Sequence, residues 1–453
     1  MMSDTSRTRT AERLTPERLT PDDDLFVRME HALRLPVVNQ CVWRLDGNVT
    51  DAAIAEIAAR LRRGRLSRLV HRRRTPGRDR WVHTPAAGRF SLSDRPIAAG
   101  EEASWARRCV DAPLDTIRGP SWRLTAARSA NGSAVFVSLV ASHVVGDGGA
   151  VMTAVTEAVA DIAFDATDTP PRLRDNLRDT ATLLGTAGRA AAAMVTDRRP
   201  TTQPRRDSHP ETPAATTAVT AGENAPVSAP TTILTIRSDA FRSAASASGG
   251  TPNSLFVAIM VGALERTGRI HPGEAIGLSL PMSTRTDNDR RANATTGVTA
   301  AIVVDDDRYR DLGAIRTACK SAFRTLVDGP SPAARLGIVA QALGDRAVRR
   351  LAANVSAPLC LASNLGELDP RFASLGTGSV GPVAMRSVAS TPDLEVLRSM
   401  AGGISGWASE SGGLVTLCVT SLDPDRVADD QALSKVVADE LGRWSLTGSA
   451  WGT

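Results

Sequence analysis

A chain of 453 residues, 42% hydrophobic and 23% charged with a net charge of +5, is globular in composition and too long for one ordinary core. No apolar run approaches the about 18 residues a membrane-crossing helix needs, and the polar N-terminus lacks the apolar centre of a secretory signal, so a cytoplasmic address is expected. The five cysteines and six histidines are dispersed without metal-ligand spacing, which points to free thiols and away from a metal site.

In chain order, residues 1–22 read as a disordered lead-in, and order is expected to begin at Asp23. Ile54, Ile57 and Leu61 recur at helical spacing behind a Thr50 or Asp51 cap. Arg60 to Arg80 is dense in arginine but interrupted by Leu66, Leu69 and Val70; it reads either as a solvated helix face or as a phosphate-binding patch. Val135 to Ala141 is a continuous apolar run of strand length behind the Asn131-Gly132 turn signal, as in a buried central strand. Met152, Val155, Val159 and Ile162 then predict a helix starting after Gly149. From 166 to 230 the composition turns to Pro, Thr, Ala and Arg, which reads as a crossover linker with a helix around Thr182 to Val195. That stretch is suited at most to peripheral contact with a membrane surface.

The second half resumes with a strand at Thr232 to Ile236, then a helix from Leu255 to Leu264 capped by Asn253 or Ser254. Strands follow up to Pro281, through Val298 to Val304, and at Leu414 to Val419; a final helix carries Leu433, Val437, Leu441 and Trp444 on one face. Mixed strands and helices in both halves predict an α/β (α+β) protein, divided as 23–165 and 231–453 around the linker.

The residues with the clearest chemistry are Ser142-His143-Val144-Val145-Gly146-Asp147-Gly148, on the turn from the buried strand into a helix. A neutral imidazole can take a proton from a hydroxyl or amine as that group attacks a carbonyl. The glycines permit close approach, and an N–H near Gly148 can face a developing oxyanion. Asp147 either orients His143 or pairs with a distant arginine to stiffen the turn. The bland alternative is a buried histidine satisfied by a backbone carbonyl, with Asp147 capping the next helix.

This segment resembles the H-H-x-x-x-D-G signature of the acyltransferase superfamily that includes chloramphenicol acetyltransferase, peptide-synthetase condensation domains and polyketide-associated acyltransferases. Within it the chain is most similar to the bacterial wax ester synthase/diacylglycerol acyltransferase branch. Asp23-Asp24-Leu25-Phe26 with Glu30 resembles that branch's opening, and Pro113-Leu114-Asp115 with Pro120-Ser121-Trp122-Arg123-Leu124 resembles the approach to its active-site strand. Further similar pieces are Asn224 to Ser228, Thr251-Pro252-Asn253-Ser254, Pro281-Met282-Ser283-Thr284-Arg285 and Ser363-Asn364-Leu365-Gly366. Ser142 stands where the first motif histidine would be, Ser254 replaces an aspartate, and Glu367-Leu368 breaks the tail of the late loop.

The resemblance implies two chloramphenicol acetyltransferase-like domains with an active-site tunnel between them. It implies His143 as base, Asp147 held by an arginine, for which Arg285 is the candidate, and Trp122 as a structural residue. Ser142, Ser283 and Asn364 become candidate substrate-binding residues beside Gly148. The implied donor is acyl-CoA or an acyl carrier protein and the acceptor a small alcohol or amine, with no cofactor and no nucleic acid. A non-catalytic carrier- or acyl-binding scaffold and a thioester hydrolase are the alternatives. The departures point away from wax ester or triacylglycerol synthesis, toward a specialised acceptor.

Overall fold

The computed structural model describes residues 17–73, 77–166, 172–196, 228–287, 289–324, 332–352, 357–390 and 394–451. Helix α1 (Pro21–His31) starts the first half under a Thr20–Asp23 capping box with Pro21 in its first turn. Then come β1 (Val37–Asp46), α2 (Asp51–Leu61), β2 (Arg68–His71), β3 (Arg80–His83), β4 (Gly88–Leu92), α3 (Glu102–Asp111), β5 (Trp122–Arg128), β6 (Ala134–Ser142), α4 (Gly148–Val159) and α5 (Leu173–Thr196). The second half holds β7 (Thr231–Arg237), α6 (Ser238–Ala247), α7 (Pro252–Arg266), β8 (Ala275–Ser283), β9 (Thr295–Val303), α8 (Gly313–Arg324) and α9 (Pro332–Ala342). It continues through β10 (Cys360–Glu367), β11 (Val383–Ala389), β12 (Ile404–Ser411), β13 (Leu414–Ser421), the Asp430–Arg443 helix and β14 (Ser449–Ala450).

Two sheets organise the molecule, in the orders β11-β1-β6-β5-β4 and β14-β7-β13-β12-β10-β8-β9. Every residue of β6 is buried, because both faces of the first sheet are covered. On one face Cys41, Trp43, Val137 and Leu139 pack with α2 and α4 residues such as Ile54 and Val155. On the other, Val42 and Phe136 meet Ile233, Trp407, Cys418 and Trp451 of the second half. Helix α7 is buried at each position from Ser254 to Leu264, sealed inside the second core. Its cap is Thr251 rather than Asn253 or Ser254; Pro252 supplies a helix-ready φ and Ser254 closes a capping box back onto Thr251.

The second half also contributes to the first sheet. Strand β11 crosses over and pairs antiparallel with β1, from Val37↔Ala389 to Trp43↔Val383. Phe372, Ala373 and Leu375 join the first core on the way, and Trp43 Nε1 donates to the Phe372 carbonyl at 2.8 Å. Of the expected lead-in, residues 17–22 are packed: Leu19 is fully buried and its N–H donates to Asp79 O. Within the expected linker α5 occupies Leu173–Thr196, and residues 167–171 and 197–227 lie outside the described residues.

The arginine run is not one helix face. α2 ends at Leu61, and the run continues through a turn into β2 and on to β3, where its guanidinium groups find partners. Arg65 clasps Glu157, Arg72 meets Asp79 at 3.1 Å, and Arg78 meets Asp179 at 2.7 Å. Arg68 is fully buried, stacked over Trp81 and donating to the Val145 carbonyl at 2.9 Å. Ser363 and Asn364 lie within β10 rather than in a loop, at a point where its register on β12 shifts.

Candidate active site

Strand β6 delivers His143 to the end of the first sheet, where its N–H bonds to Val37 O at 2.8 Å. The turn closes at Asp147, the N-cap of α4, whose Oδ1 accepts from Ala150 N at 2.7 Å. From the second half the β8–β9 connection lies across this turn as a strap. Asp147 N donates to Ala292 O; Asp147 Oδ2 accepts from Ala294 N at 2.6 Å and from Thr295 Oγ1 at 2.9 Å. Arg285 Nη2 donates to Asp147 Oδ1 at 2.9 Å and to Ala292 O at 3.1 Å. Burial alone would raise the Asp147 pKa; Arg285, the Ala294 and Ala150 amides and the Thr295 hydroxyl outweigh it and hold the carboxyl below its usual range. Asp147 thus ties the turn to the strap.

His143 has different partners. Its ring stacks on Phe26 of α1, centroids 3.7 Å apart and 15° between planes. Its Nδ1 lies 3.0 Å from Asn293 Oδ1. The orientation of that amide follows from its other contacts, since Asn293 Nδ2 faces three acceptors: Asp23 Oδ1 at 3.2 Å, His143 O at 3.1 Å and Val144 O at 3.4 Å. The carbonyl end therefore faces the ring, and Nδ1 must carry the hydrogen. In the neutral imidazole the lone pair then sits on Nε2, which makes no hydrogen bond to a described residue. Burial lowers the His143 pKa, with the Asp147 charge and the ring's hydrogen bonds to its own backbone and to Asn293 acting in the opposite sense.

The remaining candidates separate into two places. Gly148 and Gly149 open α4; a Cβ on Gly148 would meet nothing within 4 Å, while one on Gly149 would lie 3.4 Å from Arg285 Nε and 3.6 Å from Ser283 Oγ. Ser283 is exposed beside the turn and accepts from Arg285 N at 3.2 Å. Ser142 is buried: its hydroxyl donates to Glu30 Oε2 at 3.2 Å and accepts from Val144 N, so it braces the turn rather than facing a substrate. Asn364 belongs elsewhere, with Nδ2 on Asn253 Oδ1 of α7 at 3.3 Å. Trp122 is fully buried beneath the turn's strand, against Gly88, where a Cβ would come within 2.0 Å of the indole.

Asn293, with Asp23 holding it, is the site residue that sequence reasoning missed. It sits in an arginine-rich connection with no periodicity, and Asp23 and Phe26 were visible only as part of the resemblance near the N-terminus. Among the described residues no group of three His, Cys, Asp or Glu side chains could hold a metal. Burial raises every cysteine pKa, Cys109 and Cys319 to about 11 and Cys360 and Cys418 to about 12, which leaves no activated thiolate.

No protein-family model and no curated protein sequence matches the chain. Solved structures do match over nearly its whole length. The wax ester synthase/diacylglycerol acyltransferase from Marinobacter aquaeolei VT8 is 15% identical with a TM-score of 0.53, covering 95% of this chain and 100% of its own. The first condensation domain of the CDA synthetase, 14% identical, gives 0.57 over 95% and 96%. The trichothecene 15-O-acetyltransferase from Fusarium sporotrichioides, 11% identical, gives 0.56 over 94% and 95%. The chain shares their fold. At these identities the likeness speaks for architecture: a mixed α/β arrangement of the two-domain condensation and chloramphenicol acetyltransferase type.

Proposed function

We propose that this protein transfers an acyl group from a thioester to a hydroxyl or amine, with His143 as general base. The observation that carries the reading is the 3.0 Å contact of His143 Nδ1 with Asn293 Oδ1, which assigns the ring hydrogen to Nδ1 and leaves Nε2 as the base. Nε2 takes the proton from the acceptor O–H or N–H as that atom bonds to the thioester carbonyl carbon. The carbonyl electrons move to oxygen, giving a tetrahedral oxyanion. Two groups suit that charge: the Gly148 and Gly149 amides, which the Asp147 cap leaves free, and the Ser283 hydroxyl beside them. Collapse expels the sulfur, which recovers the proton from Nε2. The step passes through no acyl-enzyme and uses no resident cofactor.

The shared fold supports this reading, as does the depressed His143 pKa, which keeps the imidazole neutral near pH 7. The test is thiol release from a panel of acyl-CoA donors with and without small alcohols and amines, with the product's mass determined. Acceptor-dependent release that His143→Ala abolishes is expected. Release at the same rate without acceptor would make the protein a hydrolase, and no release with any donor would point to a scaffold.

A further inference from the structure

The cations free to meet a phosphate are not in the arginine run, whose side chains are largely spent on carboxylates and carbonyls. They stand on α8. Arg316, Lys320 and Arg324 are four residues apart, exposed along one side of that helix, and among the described residues none meets a carboxylate. They line a cleft of about 430 Å³ whose opposite wall is the N-terminus of α7, at Thr251 and Asn253, with Cys319 and Phe323 between. A merely solvated helix would spread charge over its outward positions. Here the exposed positions that do not line the cleft, Ala314, Thr317 and Ser321, are uncharged. Lys320 is one of only two lysines in the chain.

The cleft opens at the end of the sheet that faces the catalytic turn. Strands β8 and β10 run parallel and pair only at Cys360↔Leu278 and Leu361↔Ser279. Beyond that they part, β8 ending at Ser283 beside Gly149 and β10 carrying Asn364, which is bonded to Asn253 on the cleft wall. Ligands of such sheets sit outside the carboxyl ends of parallel strands.

We propose that this cleft binds the phosphates of coenzyme A, with Arg316, Lys320 and Arg324 as their counter-charges and the pantetheine arm running past Asn364 toward His143. Three cations at four-residue spacing span about 12 Å, a row suited to a pyrophosphate plus a 3′-phosphate rather than to the single phosphodiester of a carrier-bound arm. The proposal rests on the acyl-thioester reading for the direction of the arm, but its binding test does not need turnover.

The experiment titrates the full-length chain calorimetrically with coenzyme A, dephospho-coenzyme A, pantetheine and a phosphopantetheinyl carrier protein. Affinity should fall in the order coenzyme A, dephospho-coenzyme A, pantetheine. The variant Arg316→Gln/Lys320→Gln/Arg324→Gln should weaken coenzyme A at least about tenfold and leave pantetheine and the melting temperature unchanged. The control Arg72→Gln/Arg73→Gln, whose guanidinium groups are held by Asp79 and by the Gly77 carbonyl, should bind coenzyme A as the unaltered chain does. Coenzyme A binding unaffected by the triple change, or no tighter than pantetheine in the unaltered chain, overturns the site; so does a triple variant that loses only the carrier protein. Row-dependent coenzyme A binding without acyl transfer would leave the site standing and remove the acyl-transfer reading, whereas transfer indifferent to the row would do the reverse.

Discussion

The molecule contains the same local device twice, and only one copy carries a histidine held by a strap from the other half. In the first sheet the β5–β6 hairpin leads into α4, with β1 antiparallel beside β6; in the second the β12–β13 hairpin leads into the Asp430–Arg443 helix, with β7 antiparallel beside β13. Each helix is capped by an aspartate, Asp147 on Ala150 N at 2.7 Å and Asp429 on Ala432 N at 2.8 Å. There the likeness stops. The first turn carries His143 and is crossed by the β8–β9 strap, which adds Arg285 and Ala294, with Thr295 at the start of β9, to Asp147 and Asn293 to His143. The second connection is longer, contains Pro424 and no histidine, and its Asp423 pairs, among the described residues, with Arg269 and Arg426. The hairpin and helix supply a scaffold; the strap is what fixes the side chains of His143 and Asp147 on it.

The comparison can be broken first at its chemical end. His143→Ala should lower turnover at least ~100-fold, the usual scale for a lost general base, with the fold retained. Activity within a few-fold of the unaltered chain would sink the assignment. Next come the two caps. Asp147→Asn leaves the buried Arg285 guanidinium without its anion, and removing one partner of such a pair costs about 3 kcal/mol or more; denaturant unfolding should show this together with a loss of activity. Asp429→Ala removes an exposed cap alone, worth about 1 kcal/mol, and activity should survive. Equal losses of stability for the two changes would mean that the strap adds nothing to the first turn.

The strands and helices legible in the sequence are those whose own burial decides them. The apolar runs of β6, β7 and β13, the i/i+3/i+4 pattern of α2 and the sealed α7 needed no knowledge of partners. What the sequence withheld depends on distant neighbours. Strand β11 carries Arg386 among its apolar residues and is recognisable only beside β1, where Gln40 Oε1 accepts from Arg386 Nε at 2.8 Å inside the protein. The described residues of the strap form no helix or strand, so nothing in Arg290-Arg291-Ala292-Asn293 announces that the Ala292 carbonyl and the Asn293 amide reach the His143 turn. Charge in the sequence was misleading for the same reason: most described arginines of the dense run at 60–80 meet carboxylates or carbonyls, and the sparse row on α8 meets no carboxylate among the described residues.

The smallest predicted effect tests the finest feature of the first turn, the amide that holds the imidazole. Catalysis by Nε2 requires the neutral ring, so kcat/KM should fall as pH drops through the His143 pKa. Burial places that pKa below the ordinary 6.5, and the acid limb should therefore lie below 6.5. The linkage has the matching sign. Between the lowered native pKa and 6.5 the unfolded chain binds the proton and the native site does not, so this residue's contribution to stability is present above 6.5 and is lost as pH falls. Asn293→Asp would set a carboxylate against Nδ1–H, favour the imidazolium and move the acid limb upward. Asn293→Ala removes the same hydrogen bond without adding charge, so its limb should not rise. Measured pH profiles of the three proteins separate orientation from charge: coincident limbs for the Asp and Ala variants would mean that Asn293 does not face Nδ1 when the enzyme turns over.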